Sequence, residues 1–195
     1  MDLQNLSEMI AQGFEDVDRL ARNMLKVFIC GSHIDGDDKD LENARDEIKN
    51  ELKVPGVFLM RDIETKQKLP YNQKFDLVWT HIAKGDNVPL CIMYAGKNAG
   101  KSQGLNAEIQ AVSTDPEKKA STHLIRFEGI RLVNHADEFP SYHVKGVDEF
   151  KGTAKRLVEA KVKEIASYLL RQKEGQKGRE TGKVKTLINK GDIIS

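Results

Sequence analysis

The chain has 195 residues, 39% of them hydrophobic and 31% charged, and a formal net charge of +1. That suits one domain of ordinary size with one core, and it argues against a protein built mainly to coat nucleic acid. No apolar run approaches the roughly 20 residues needed to span a bilayer, and the first twenty residues lack the basic start and apolar stretch of a secretory signal. The expectation is therefore a cytoplasmic protein without membrane contact.

In chain order, residues 2–24 carry Leu3, Leu6, Ile10, Phe14, Val17 and Leu20 on one helical face. Residues 26–30, KVFIC, form a short β-branched and aromatic run closed by Gly31, the first expected strand. A polar loop, SHIDGDDKD, leads to a helix whose inner face is Leu41, Ala44, Ile48 and Leu52. Pro55-Gly56 stops it, and residues 57–60 are the second strand, ending at Arg61-Asp62. A loop to Asn72 precedes a helix with Phe75, Val78 and Ile82 inward, closed near Gly85. Residues 88–94, VPLCIMY, are the third strand, with its proline near the start, where a missing N–H matters least.

The glycine-rich loop AGKNAGKSQG follows, then a helix with Leu105, Ile109 and Val112 inward. Residues 123–127 read as a fourth strand and 142–147 as a weaker fifth. A long amphipathic helix from about 148 to 170 buries Phe150, Leu157, Val158, Val162, Ile165 and Leu169. Strands alternating with helices predict an α/β protein with a mostly parallel five-stranded sheet, helices on both faces, and strand one in a central place. The expected division is an N-terminal helix over 1–25, the α/β domain over 26–170, and a basic tail over 171–195. That tail has seven basic against three acidic residues and four glycines, so it is expected to be flexible or to dock rather than to continue the helix.

Open parallel sheets bind ligands beyond the carboxyl ends of their strands. Those ends are Gly31-Ser32, Arg61-Asp62 and the loop from Gly96 to Gly104. The loop supports two competing readings. Ala95 to Ser102, AGKNAGKS, fits a loose phosphate-loop pattern, with Lys101 on phosphates and Ser102 on magnesium. Against it, Ala95 replaces the usual first glycine, the loop follows the third strand, and no later strand ends in a magnesium-holding aspartate. The other reading centres on Glu108. Near a helix start, the free N–H groups and the helix dipole favour an ionised carboxylate. An ionised glutamate above the strand ends can attack or stabilise the oxocarbenium-like carbon of a ribosyl bond.

Other features carry less. Asp62 is positioned to accept a ribose hydroxyl, to pair with Arg61, or to cap the next turn. His33 with Asp35, Asp37 and Asp38 fails the calcium-loop spacing, and those acids read as helix-entry residues. His81, His123, His135 and His143 are scattered singly. Trp79 lies beside a core position and would stack on a base only if it faced the site. Cys30 and Cys91 fit neither a redox nor a zinc spacing and read as small buried thiols. No metal and no cofactor is expected.

The series KVFICGS, then RD after strand two, then VPLCIMYAGKNAGKSQGLNAEIQAV resembles the nucleoside 2-deoxyribosyltransferase-like superfamily, which shares a flavodoxin-like core with TIR-type NAD glycohydrolases. The matching motif is Gly104-Leu105-Asn106-Ala107-Glu108-Ile109, and the likeness covers residues 26 to 170. The resemblance implies that Glu108 is the nucleophile and that Gly31 and Ser32 line the pocket. With the loop it marks Gly31, Ser32, Asp62, Gly96, Ser102, Gly104 and Asn106 as ligand-contacting candidates. It also implies a nucleoside, nucleotide or NAD-type ligand and a homo-oligomer. Ser102 stands where the transferases usually carry an aspartate, which leaves room for a hydrolase or a binding-only relative. Two other readings stay open: a non-catalytic nucleotide-sensing module, and a phosphate-loop NTPase using Lys101 and Ser102.

Overall fold

The computed structural model describes residues 3–32, 36–63, 69–97 and 99–175. The chain opens with α1 (Leu3–Met24), which passes directly into β1 (Leu25–Gly31). Then come α2 (Asp37–Glu51), β2 (Val57–Leu59), α3 (Tyr71–Ile82) and β3 (Val88–Ala95). The second half is α4 (Gln103–Ser113), the short α5 (Pro116–Ala120), β4 (Thr122–Phe127), β5 (Ser141–Val144) and α6 (Val147–Gly175). Three short 3₁₀ turns occupy Met60–Asp62, Ala99–Lys101 and Asn134–Glu138.

The five strands form one all-parallel sheet in the order β2-β1-β3-β4-β5, an arrangement compatible with flavodoxin-like folds. β1 is interior, paired to β2 on one side and β3 on the other, but the central strand is β3. The expectation of a central first strand is corrected on that point. All eight residues of β3 are buried, and alternation sends them to opposite faces. Leu90, Ile92 and Tyr94 join the core beneath α2 and α6, where Tyr94 stacks on Phe150 at 3.8 Å between ring centroids. Cys91, Met93 and Ala95 join the opposite core beneath α3 and α4. Phe28 meets Phe75 there, and Trp79 lies parallel to Phe75, buried in packing rather than presented to a ligand.

Other boundaries differ from the sequence reading for local reasons. β2 ends one residue early because Met60 opens a 3₁₀ turn, closed by the Asp62 carboxylate accepting from the Leu59 N–H at 2.8 Å. α5 was unforeseen. It starts because Asp115 accepts from the N–H groups of Glu117 and Lys118, with Pro116 at the first helical position. α6 carries on through Arg171 to Gly175, five residues into the expected tail, and the rest of that tail lies outside the described residues. β5 stops at Val144 rather than 147. No helix among the described residues is long and apolar enough to cross a membrane.

Candidate functional site

The chain leaves β1 toward β2 on one side and later returns to place β3 on the other. The crossover connections therefore diverge between the carboxyl ends of β1 and β3, and the crevice expected at such a switch point lies there. Its walls are drawn close together. Ser32 is fully buried, and its N–H donates to the Tyr94 carbonyl at 3.3 Å. A Cβ on Gly31 would overlap that same carbonyl oxygen, so only glycine lets the two strand ends approach this closely.

At the other wall stands the start of α2. Asp37, its first residue, is buried, accepts a hydrogen bond from the Ser32 hydroxyl, and lies so near Gly96 that a Cβ there would overlap its carboxylate. The Tyr94 hydroxyl donates to Asp40 at 3.5 Å. Burial, and then the charges of Asp40 and Asp37, push the Tyr94 phenol well above its ordinary value. Three carboxylates, Asp37, Asp38 and Asp40, sit in the first turn of α2. They complement its positive end, where parallel-sheet proteins commonly receive a ligand's phosphate. Sequence reasoning took these acids as helix-entry residues and missed that Asp37 reaches into the crevice. The signal was their position immediately after the β1 loop.

α4 begins with Ser102 as its cap. The Ser102 hydroxyl accepts from the Leu105 N–H at 3.2 Å, and its carbonyl accepts from the Asn106 N–H. Gly104 is the second helical residue, and Asn106 follows with its Oδ1 enclosed and without a hydrogen-bond partner among the described residues. The loop before the helix folds on itself: the Ala99 N–H donates to the Gly96 carbonyl at 3.1 Å and the Ser102 N–H to the Ala99 carbonyl at 2.9 Å. Two of its N–H groups are thus engaged internally and the Ser102 hydroxyl serves as a cap. Both facts weigh against a phosphate loop, which needs such groups aimed at the ligand. Asn98 and the side chain of Lys101 lie outside the described residues.

Glu108 is the sixth residue of α4, in its second turn rather than at the helix end. It shares the inward stripe with Leu105, Ile109 and Val112, and is 1% exposed. Its Oε2 has no hydrogen-bond partner among the described residues. Burial pushes its carboxyl up to about 8, against a smaller opposing effect from a hydrogen bond with the Cys30 thiol. The expectation that the helix end holds Glu108 ionised is therefore corrected. Desolvation opposes the charge strongly, while the dipole acts mainly within the first turn.

Cys30, the residue before Gly31, is itself pushed up by burial and by its neighbours Cys91 and Glu108. The two sulfurs lie 3.9 Å apart. In the strand register Cys30 faces Met93, so Cys91 is two residues out of step. Strand spacing and rise then put the Cα atoms about 8 Å apart, beyond the roughly 7 Å a disulfide spans. Both remain free thiols.

The structure brings Gly31, Ser32 and Gly96 together at the crevice, with Glu108 beneath the end of β1 against Cys30. Ser102, Gly104 and Asn106 form the first turns of α4. Asp62 stands at the end of β2 with both oxygens engaged, one by Arg45 at 2.8 Å and one by the Leu59 N–H. It joins α2 to the strand end, and Arg61 pairs with Glu42 instead. The loop containing His33 and Asp35 lies outside the described residues. Among the described residues no three His, Cys, Asp or Glu side chains are grouped to hold a metal ion. Neither a family model nor a curated protein matches the chain.

Proposed function

We propose that the crevice between the ends of β1 and β3 receives a nucleoside-type ligand and that Glu108 acts on its N-glycosidic bond. The observation that carries this reading is an acidic side chain buried beneath the end of β1, close to the switch point, with one oxygen unpartnered. Buried polar atoms are otherwise almost always satisfied, and the exceptions cluster at functional positions. Among nucleosides, nucleotides and NAD-type molecules, the acidic start of α2 favours an uncharged sugar at that wall over a phosphate.

In the reaction, the ionised Glu108 carboxylate bonds to the anomeric carbon as the carbon–nitrogen bond breaks. The departing base keeps the electron pair and takes a proton from solvent. Water, or a second base, then releases the sugar from the glutamyl ester. Glu108 is enclosed between α4 and the sheet, so the ligand reaches it only when the first turns of α4 shift. Because the ionised form reacts and the group titrates near 8, turnover rises with pH through about 8.

The burial of Glu108 also favours a second reading, a module that binds the same ligand without reaction, with Glu108 as a neutral packing group. Incubation with a panel of deoxynucleosides, their nucleotides and NAD, read by the mass of released base, separates the two. Release by the wild type that falls by orders of magnitude in Glu108→Gln is the expected outcome. Release that survives the substitution removes Glu108 from the mechanism. Binding without release favours the module, and a panel that neither binds nor reacts overturns both.

A further inference from the structure

The sulfur atoms of this chain are gathered on one side of the sheet. It has two cysteines and five methionines. Four of them, Cys30, Met60, Cys91 and Met93, are buried in the core beneath α3 and α4, and none is among the buried residues of the opposite core. Strand register draws them together. Cys30 faces Met93 across the β1–β3 pair, and Cys91 precedes Met93 by two residues, on the same face. Met60 follows Leu59, the partner of Ile29, and so approaches Cys30 from the β2 side.

Two observations mark this cluster out from ordinary packing. The Cys30 and Cys91 sulfurs lie 3.9 Å apart on a strand pair whose spacing forbids a disulfide. Thiolates bind a d10 ion at about 2.3 Å, so two on one ion, at angles between tetrahedral and trigonal, stand about 3.8–4.0 Å apart. The second observation is Glu108, which lies against Cys30, is 1% exposed and has its Oε2 unpartnered. Enclosed polar atoms without a partner are rare and point to a missing ligand or ion.

We propose that Cys30, Cys91 and Met93 bind one copper(I) ion between β1 and β3. Thiolates and thioethers select this soft ion. Zinc fits poorly, since its sites are built from several His, Cys, Asp or Glu ligands and no three of these are grouped among the described residues. On binding, both thiol S–H bonds break, the protons leave to solvent, and two sulfur–copper bonds form. The Met93 thioether adds a third bond without losing a proton. Copper stays in its +1 state, so no oxidant or reductant takes part. The product carries one negative charge, and a protonated Glu108 beside Cys30 offsets part of it by donating to the thiolate. The proposal does not depend on the nucleoside reading, because copper binding is measured without any nucleoside.

Anaerobic titration of the full chain with copper(I), against the colorimetric chelator bicinchoninate, tests it. The wild type should withdraw one ion per chain and gain a thiolate-to-copper absorption band in the ultraviolet. Cys30→Ala and Cys91→Ala should each weaken binding more than roughly a hundredfold, beyond what loss of a ligand's neighbour costs. Met93→Leu keeps the core volume and removes only a weak sulfur donor, so it should weaken binding about tenfold. Met24→Leu, on the other side of the sheet, should change nothing. An unfolded chain would also offer its thiols, so melting is followed with and without one equivalent of copper(I). The ion should raise the melting temperature of the wild type and of neither cysteine variant. A wild type that takes no copper from the chelator, binds two ions per chain, or melts lower with copper overturns the proposal. Binding that survives in either cysteine variant, or that Met93→Leu leaves at full strength, overturns it too.

Discussion

Gly31 and Gly96 both hold the crevice closed, but they face different neighbours. A methyl group on Gly31 runs into the backbone carbonyl of Tyr94, in the fully buried central strand, which has no room to yield. A methyl group on Gly96 meets the end of the Asp37 side chain, which can rotate. Overpacking typically costs about 1–3 kcal/mol. Gly31→Ala is expected near the top of that range and Gly96→Ala near the bottom, as urea unfolding of the two variants will measure. An equal cost would mean that Asp37 is held as rigidly as the sheet. Part of this site was legible in the sequence. The spacing of Leu105, Glu108, Ile109 and Val112 places Glu108 on the inward stripe, yet emphasis on the helix end led to a charged, accessible group. Its neutrality follows from burial between α4 and the sheet, which the hydrogen bond with the Cys30 thiol offsets only in part, and that enclosure is set by packing between segments distant in the chain.

Among the elements, the segments with strong apolar runs or stripes were legible and the short capped ones were not. β1, β3 and β4 are marked by β-branched and aromatic runs, and their observed limits lie within a residue of the expected ones. α5 has no buried residue and hence no apolar pattern to betray it. Its signature is chemical: an aspartate, then a proline, then a glutamate. Because little packing supports it, the cap should matter. Asp115→Ala frees two N–H groups from their shared acceptor and is expected to cost about 1 kcal/mol. Loss of amide protection in residues 117–120 would localise the effect, and an unchanged melting temperature with unchanged protection would show that α5 stands without its cap. Strand order was not legible in full. β1 and β3 are similar apolar runs, and which is central depends on where β4 and β5 pair, information that no single segment contains.

At the scale of the whole molecule two buried groups set opposing pH dependences. Glu108 is pushed up to about 8 from an ordinary 4.5, so between those values the folded chain holds a proton that the unfolded chain has lost, and stability falls as pH rises. His123 is pulled down to about 4 from 6.5, by burial first and then by the charge of Lys161. Between those values the unfolded chain holds the extra proton, and stability falls as pH drops. From about 4.5 to 6.5 the two slopes cancel, since each state binds one of the two protons. These groups together predict a plateau there, with losses below it to about 4 and above it to about 8. Denaturant titrations in half-unit steps will trace the profile. Glu108→Gln should abolish the alkaline loss and, with nothing left to offset His123, turn the plateau into an acid loss that begins near 6.5; an alkaline loss that persists would assign it to another group. The placing of β3 between β1 and β4 has a further consequence, for the order in which the sheet can be built. On a ribosome, Val27 and Val57 can find each other once the first sixty residues are out. The inner edge of β1 must then wait for residues 88–94, and the nascent chain carries that row of unpaired amides and carbonyls exposed until β3 emerges.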